Sequence, residues 1–120
     1  MKSPYQGISR IIHAFKYSFD GLFSVFKSES AFRQDIVLCI IGIIIQFFID
    51  VSPLSRILMI SSLMFIIIAE LINTAIEVIV DRISTQKNPL SKKAKDIGSA
   101  IVMLTIFSVI VFWIALIFLD

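Results

Sequence analysis

The sequence predicts an all-α integral membrane protein, with three transmembrane helices plus an N-terminal amphipathic surface helix. Three observations predict it. First, 58% of the 120 residues are hydrophobic and 17% are charged. Mean hydropathy is +0.94. A water-soluble domain this small cannot cover so much apolar surface, so lipid must be the solvent for much of it. Second, the apolar residues form runs suited to membrane helices, separated by short polar links that contain Pro53 and Pro89. Third, the basic residues cluster. Lys2, Arg10, Lys16, Lys27 and Arg33 lie in residues 1–35, and Arg82, Lys87, Lys92, Lys93 and Lys95 lie in 81–96.

The length predicts one domain, residues 1–120. A net charge of +2 is too small to suggest nucleic acid. The single cysteine, Cys39, cannot form an internal disulfide, and its isoleucine neighbours predict an inert thiol. The first 35 residues lack the basic, apolar and small-residue pattern of a cleavable signal, so insertion is expected to rely on the internal apolar segments.

Residues 8–27 form the first element. Ile8, Ile11, Ile12, Phe15, Phe19, Leu22, Phe23 and Phe26 fall within about 120° on a helical wheel. Arg10, His13, Lys16, Tyr17, Asp20, Ser24 and Lys27 lie opposite. The segment is too polar to span and is expected to lie in the interface, apolar face down. A polar break, Lys27-Ser28-Glu29-Ser30, places Glu29 at the membrane surface. The first span then runs over about 30–50, with Arg33 reaching back to the surface.

Ser52 and Pro53 suit the cap and first position of a second span, over 53–82. That is about 45 Å of helix, longer than the hydrocarbon is thick. Its second half carries Glu70, Asn73, Thr74, Glu77 and Asp81. At about 100° per residue these five share one stripe roughly 100° wide. Glu70 lies about 10 Å deeper than Glu77 by helical rise. Residues 84–93 form a polar link, and a third span follows over 91–119. Lys92, Lys95, Asp96 and Ser99 share a face near its start, and Gly98, Ser99 and Ala100 are small enough for close helix approach. Trp113 reads as an interfacial anchor near the far end. The positive-inside rule places the N-terminus and the 82–95 link in the cytoplasm, and the 50–53 turn and Asp120 outside.

Intramembrane carboxylates are costly and mark functional sites by default. Nucleotide-binding glycine motifs, zinc spacing and a histidine for triad chemistry are missing apart from the lone His13. Carboxylates, an amide and lysines suit Mg²⁺ with phosphate ligands. From periodicity alone the stripe also fits buried polar packing in an oligomer, or a proton or ion pathway.

Ala69-Glu70-Leu71-Ile72-Asn73-Thr74-Ala75-Ile76-Glu77, continuing to Val80-Asp81-Arg82, resembles the signature of the prokaryotic diacylglycerol kinase family. Ser30-Ala31-Phe32-Arg33-Gln34 and Ala94-Lys95-Asp96-Ile97-Gly98-Ser99-Ala100 resemble its other two motifs. Ile11-Ile12 through Tyr17-Ser18 and Gly21-Leu22 also fit. The resemblance implies a homotrimer in the bacterial inner membrane. It implies transfer of the γ-phosphoryl of MgATP to diacylglycerol, giving phosphatidic acid. On this basis Glu70 is the expected catalytic base, with Asn73 beside it. Glu29 and Glu77 are the expected Mg²⁺ carboxylates. Arg10, Tyr17, Glu29, Glu77, Gln86, Lys87, Asn88, Lys95 and Asp96 are the expected ATP contacts. Arg10, Ala14, Ser18, Phe32, Gln34, Glu70, Ser99 and Trp113 are the expected lipid-substrate positions. An undecaprenol kinase of the same family is the nearest alternative, and a non-enzymatic pathway or a structural membrane subunit is the next.

Overall fold

The computed structural model describes residues 4–120. It is helical, with no strand among the described residues. The elements are α1 (Gly7–Ser28), α2 (Ser30–Gln46), α3 (Pro53–Ile83) and α4 (Pro89–Leu119). Residues up to 30 form one compact unit and Ala31–Asp120 a second.

In the first unit, α1 buries none of its residues. Its apolar face, from Ile8 to Phe26, is exposed, as an interface-lying helix requires. On the polar face the Nδ1–H of His13 donates to the Ser9 carbonyl at 2.7 Å. The His13 ring stacks on Tyr5 with centroids 3.6 Å apart. The Glu29 backbone N–H closes the helix on the Val25 carbonyl at 2.8 Å.

In the second unit, local chemistry sets the helix starts. Ser52 caps α3, its Oγ accepting from the Ser55 N–H at 3.2 Å, and Pro53 opens the first turn. Asn88 and Pro89 do the same for α4, with Asn88 Oδ1 accepting from the Leu90 N–H at 2.8 Å. At Gln46 α2 ends, earlier than the apolar run suggests. Residues 47–49 tighten into i→i−3 bonds, such as Phe48 N–H to the Ile45 carbonyl at 2.9 Å. Three spans are expected; among the described residues α3 and α4 are the two helices long and apolar enough to cross a membrane, and the 17-residue α2 is about 25 Å long.

Cys39 of α2, Leu63 and Ile66 of α3, and Val109 of α4 form the core, with Ile43, Ile67, Ile106 and Trp113 packed on it. In lipid, apolar burial supplies little drive between helices, so packing and interhelical hydrogen bonds hold them. Trp113 supplies one. Its indole N–H donates to Ser62 Oγ at 2.7 Å, and Ser62 in turn donates to the Met59 carbonyl at 2.6 Å. Such a bond contributes about 0.6–2 kcal/mol. This corrects the expectation of an interfacial anchor: the indole is turned into the helix packing. Distance from the helix end was readable, but the direction around α4 was not. Gly42 lets this packing close, since a Cβ there would stand 3.4 Å from the Trp113 ring and 3.3 Å from Leu63.

The far ends of the three helices are tied together. Asp120 Oδ2 accepts from the Ser52 N–H at 2.5 Å, and Oδ1 accepts from the Ser55 hydroxyl at 2.9 Å. Arg56 donates to the Gln46 carbonyl and, at 2.7 Å, to the Ile49 carbonyl, satisfying the C-terminal carbonyls of α2.

Candidate active site

The polar stripe lies along the second half of α3, and its burial is graded. Glu70 and Thr74 are buried at 5% and 4% exposure. Asn73 and Glu77 are half-buried, and Asp81 is exposed. Depth in the fold therefore falls from Glu70 toward the α3 C-terminus.

α4 runs antiparallel beside this face. Four contacts set the register: Ser55 with Asp120, Ser62 with Trp113, Asn73 with Gly98, and Asp81 with Lys95. The third depends on glycine. A Cβ on residue 98 would collide with Asn73 Oδ1. Asn73 Oδ1 is itself buried and has no hydrogen-bond partner among the described residues. Such an acceptor is costly to leave unmade unless a donor arrives.

Toward the α3 end the site becomes charged. Lys95 Nζ pairs with Asp81 at 2.7 Å and also feels the Glu77 carboxylate. Lys92 pairs with Asp96 at 2.6 Å one turn along α4. Both pairs are largely exposed, so their stabilising effect is small. A cleft of about 680 Å³ is lined by Asp81, Ser84, Gln86, Lys87, Asn88, Lys92, Lys95 and Asp96. It gathers Gln86, Lys87, Asn88, Lys95 and Asp96 of the expected nucleotide residues at one place, while Glu77 is outside its lining.

The remaining expected residues lie elsewhere. Arg10, Ala14 and Ser18 share one groove along α1, and Ser18 Oγ donates to the Ala14 carbonyl at 2.9 Å. Tyr17 stands near His13 with ring centroids 6.4 Å apart. Glu29 is half-buried at the end of α1. Ser99 and Gln34 are exposed, whereas Phe32 is only 3% exposed.

One residue was missed. Asp35 on α2 makes a side-chain hydrogen bond to Glu70. The readable signal was its spacing from Phe32 and Cys39, the inward positions of α2.

No group of three or more potential metal ligands exists among the described residues. Mg²⁺ needs only one or two carboxylates when substrate phosphates complete its shell. Glu77, half-buried and next to the basic cleft, is suited to that chemistry.

Fold and site together define a helical membrane protein with a carboxylate–amide face under a polar, lysine-containing cleft. The model of the prokaryotic diacylglycerol kinase family matches residues 16–117, and the chain belongs to that family. It is 41% identical over 113 residues to a diacylglycerol kinase of Escherichia coli (strain K12), covering 94% of this chain and 93% of that one. It is 42% identical over 114 residues to a diacylglycerol kinase of Pseudomonas aeruginosa, covering 92% and 93%. A diacylglycerol kinase of Haemophilus influenzae is 42% identical over 112 residues, covering 93% and 95%.

Proposed function

We propose that the protein is a bacterial inner-membrane lipid kinase that transfers the γ-phosphoryl of MgATP to diacylglycerol, making phosphatidic acid. The observation that carries the reading is the graded seam between α3 and α4. A buried carboxylate, Glu70, lies about three turns below the charged cleft that holds Lys95 and Asp96. A lipid hydroxyl sits below the headgroups, whereas a polyphosphate sits at the surface, and the seam offers a matching group at each level.

Glu70 accepts the proton of the lipid hydroxyl as its oxygen attacks the γ-phosphorus. The bond to the β-bridging oxygen breaks, and its electron pair leaves with ADP. Lys95, with Gln86, Lys87 and Asn88 around the cleft, holds the polyphosphate. Glu77 and Glu29 are the carboxylates for Mg²⁺, which when bound neutralises developing phosphate charge. Arg10 and Tyr17 contribute to the nucleotide. Ala14, Ser18, Phe32, Gln34, Ser99 and Trp113 serve the lipid side. Asn73 orients groups through its unpartnered Oδ1. In this reading α2 with its 47–49 turn is the first of three spans, α1 lies on the cytoplasmic surface, the C-terminus is outside, and three copies assemble.

Labelled ATP with diacylglycerol or undecaprenol in mixed micelles tests the reading. Labelled phosphatidic acid is the expected main product. A dominant undecaprenyl product would move the protein to the other branch, and no labelled lipid from either would overturn kinase activity.

A further inference from the structure

The two ion pairs of the cleft differ in what holds them. Lys92 and Asp96, four apart on α4, pair at 2.6 Å within one helix, a contact that helical spacing alone supplies. Lys95 and Asp81 pair at 2.7 Å between α4 and α3, and only the packing of those two helices brings them together. Asp81 shares the α3 stripe of Glu70, Asn73 and Glu77, and it lines the cleft together with Gln86, Lys87 and Asn88.

A lysine is a flexible stem ending in an ammonium with three donors. A free lysine loses its rotamer freedom when a polyphosphate arrives, and that loss weakens binding. An exposed ion pair adds little stability, because its attraction is offset by the lost freedom of the two side chains. For Lys95 that loss is met before any nucleotide arrives, and donors remain for phosphate oxygens. The pair also decides which carboxylate the lysine takes. Glu77 stands one turn before Asp81 on the same face and is felt by Lys95 through space, but the 2.7 Å contact is with Asp81. Resting on the reading of Lys95 as a polyphosphate contact, we propose that Asp81 is a positioning residue for nucleotide binding. It holds the Lys95 ammonium at the cleft and keeps it off Glu77, whose carboxylate stays available to Mg²⁺.

Charge counting predicts the opposite effect. Lys87, Lys92 and Lys95 line the cleft against Asp81 and Asp96, so deleting the Asp81 carboxylate makes it more positive. A polyanion would then bind more tightly, and most of all at low salt, since exposed charges are screened beyond about 10 Å at 0.1 M. A positioning carboxylate instead gives a loss of affinity relative to wild type that survives added salt. The sign of the effect separates the two. Arg82, beside Asp81 in sequence, is about 100° away around α3 and is outside the cleft lining, so it does not stand in for Lys95.

Equilibrium binding of a fluorescent, non-hydrolysable MgATP analogue to the full chain in nanodiscs tests the proposal without turnover. Asp81→Ala is expected to raise Kd about 3- to 10-fold over wild type, at low and at physiological salt alike. Asp81→Glu keeps a charge within reach of the lysine and is expected to recover most of that loss, with Asp81→Asn between the two. Tighter or unchanged binding in Asp81→Ala, or a loss that Asp81→Glu shares in full, overturns the proposal. Lys95→Ala is expected to weaken binding at least as much, and adding Asp81→Ala to it is expected to change Kd no further. A further loss in the double variant means that Asp81 acts apart from Lys95 and overturns the proposal. Wild-type Kd in Lys95→Ala removes the polyphosphate reading of Lys95 and the proposal with it, whereas wild-type Kd in Asp81→Ala alone removes only the proposal. In turnover, Asp81→Ala is expected to raise the KM for ATP and leave the KM for diacylglycerol unchanged. A fall in kcat with both KM values unchanged assigns Asp81 to packing and overturns the proposal.

Discussion

At one end of the Ala31–Asp120 unit, Asp120 and Arg56 occupy the loose polar groups of the helix ends. At the other, Glu70, Asn73 and Glu77 are held with capacity left over. Asp120 accepts two hydrogen bonds from the start of α3, and Arg56 donates two to the end of α2. Toward the α3 C-terminus, Asn73 Oδ1 is buried without a partner among the described residues, and the cleft around Lys95 stays open. The same residue types serve both ends. A closed network stabilises the fold, whereas an open one leaves polar groups uncompensated until a ligand completes it. Gln46 is the exception at the closed end, being 1% exposed with both amide atoms unpartnered among the described residues.

Mutations at the open end are expected to cost turnover, and those at the closed end stability. The largest effect is expected for Glu70→Gln, with kcat falling about 10²- to 10⁴-fold as for loss of a general base. The protein should remain folded by circular dichroism, and near wild-type turnover would exclude Glu70 as the base. Next is Gly98→Ala, whose Cβ collides with Asn73 Oδ1. Displacing that amide is expected to lower kcat about 10-fold, with overpacking costing about 1–3 kcal/mol of stability. Wild-type kcat in this variant would detach Asn73 from catalysis.

At the closed half, Trp113→Phe removes the donor to Ser62 and is expected to cost about 1 kcal/mol in denaturant unfolding. A loss of turnover without a loss of stability would show that Trp113 acts through its lipid-side role and not through its bond to Ser62. The smallest effect concerns Asp120, whose carboxyl is held below the usual carboxylate range, first by its hydrogen bonds with Ser52 and then by Ser55. A depressed folded pKa gives stability that is present above the ordinary carboxylate value, about 3.9, and is lost as pH falls through the folded value. Asp120→Asn is expected to remove this acid-side loss of Tm below about pH 4 while leaving kcat intact. An unchanged acid profile would show that the clamp is not felt in solution.

Sequence alone reached the parts that depend on neighbours within a turn or two. Ser52-Pro53 read as a helix start because caps act locally, whereas the third helix begins at Pro89 under an Asn88 cap, two residues before the expected 91. The shared stripe of Glu70, Asn73 and Glu77 follows from the helical repeat, and the amphipathic face of α1 from the same arithmetic. The end of α2 was less legible, because an apolar run does not reveal where backbone bonding tightens at Phe47 and Phe48.

Tertiary structure decided what meets what. Gly98 was readable as a small residue, but not that Asn73 fills its place. Trp113 was readable by its distance from the chain end, but not by its direction toward Ser62. Asp35 joins Glu70, and Asp120 joins Ser52, only when helices distant in sequence pack side by side. The physical reason is range. Periodicity and capping are fixed by local geometry, whereas an interhelical hydrogen bond depends on the rotation and register of two helices, which no single stretch of sequence contains.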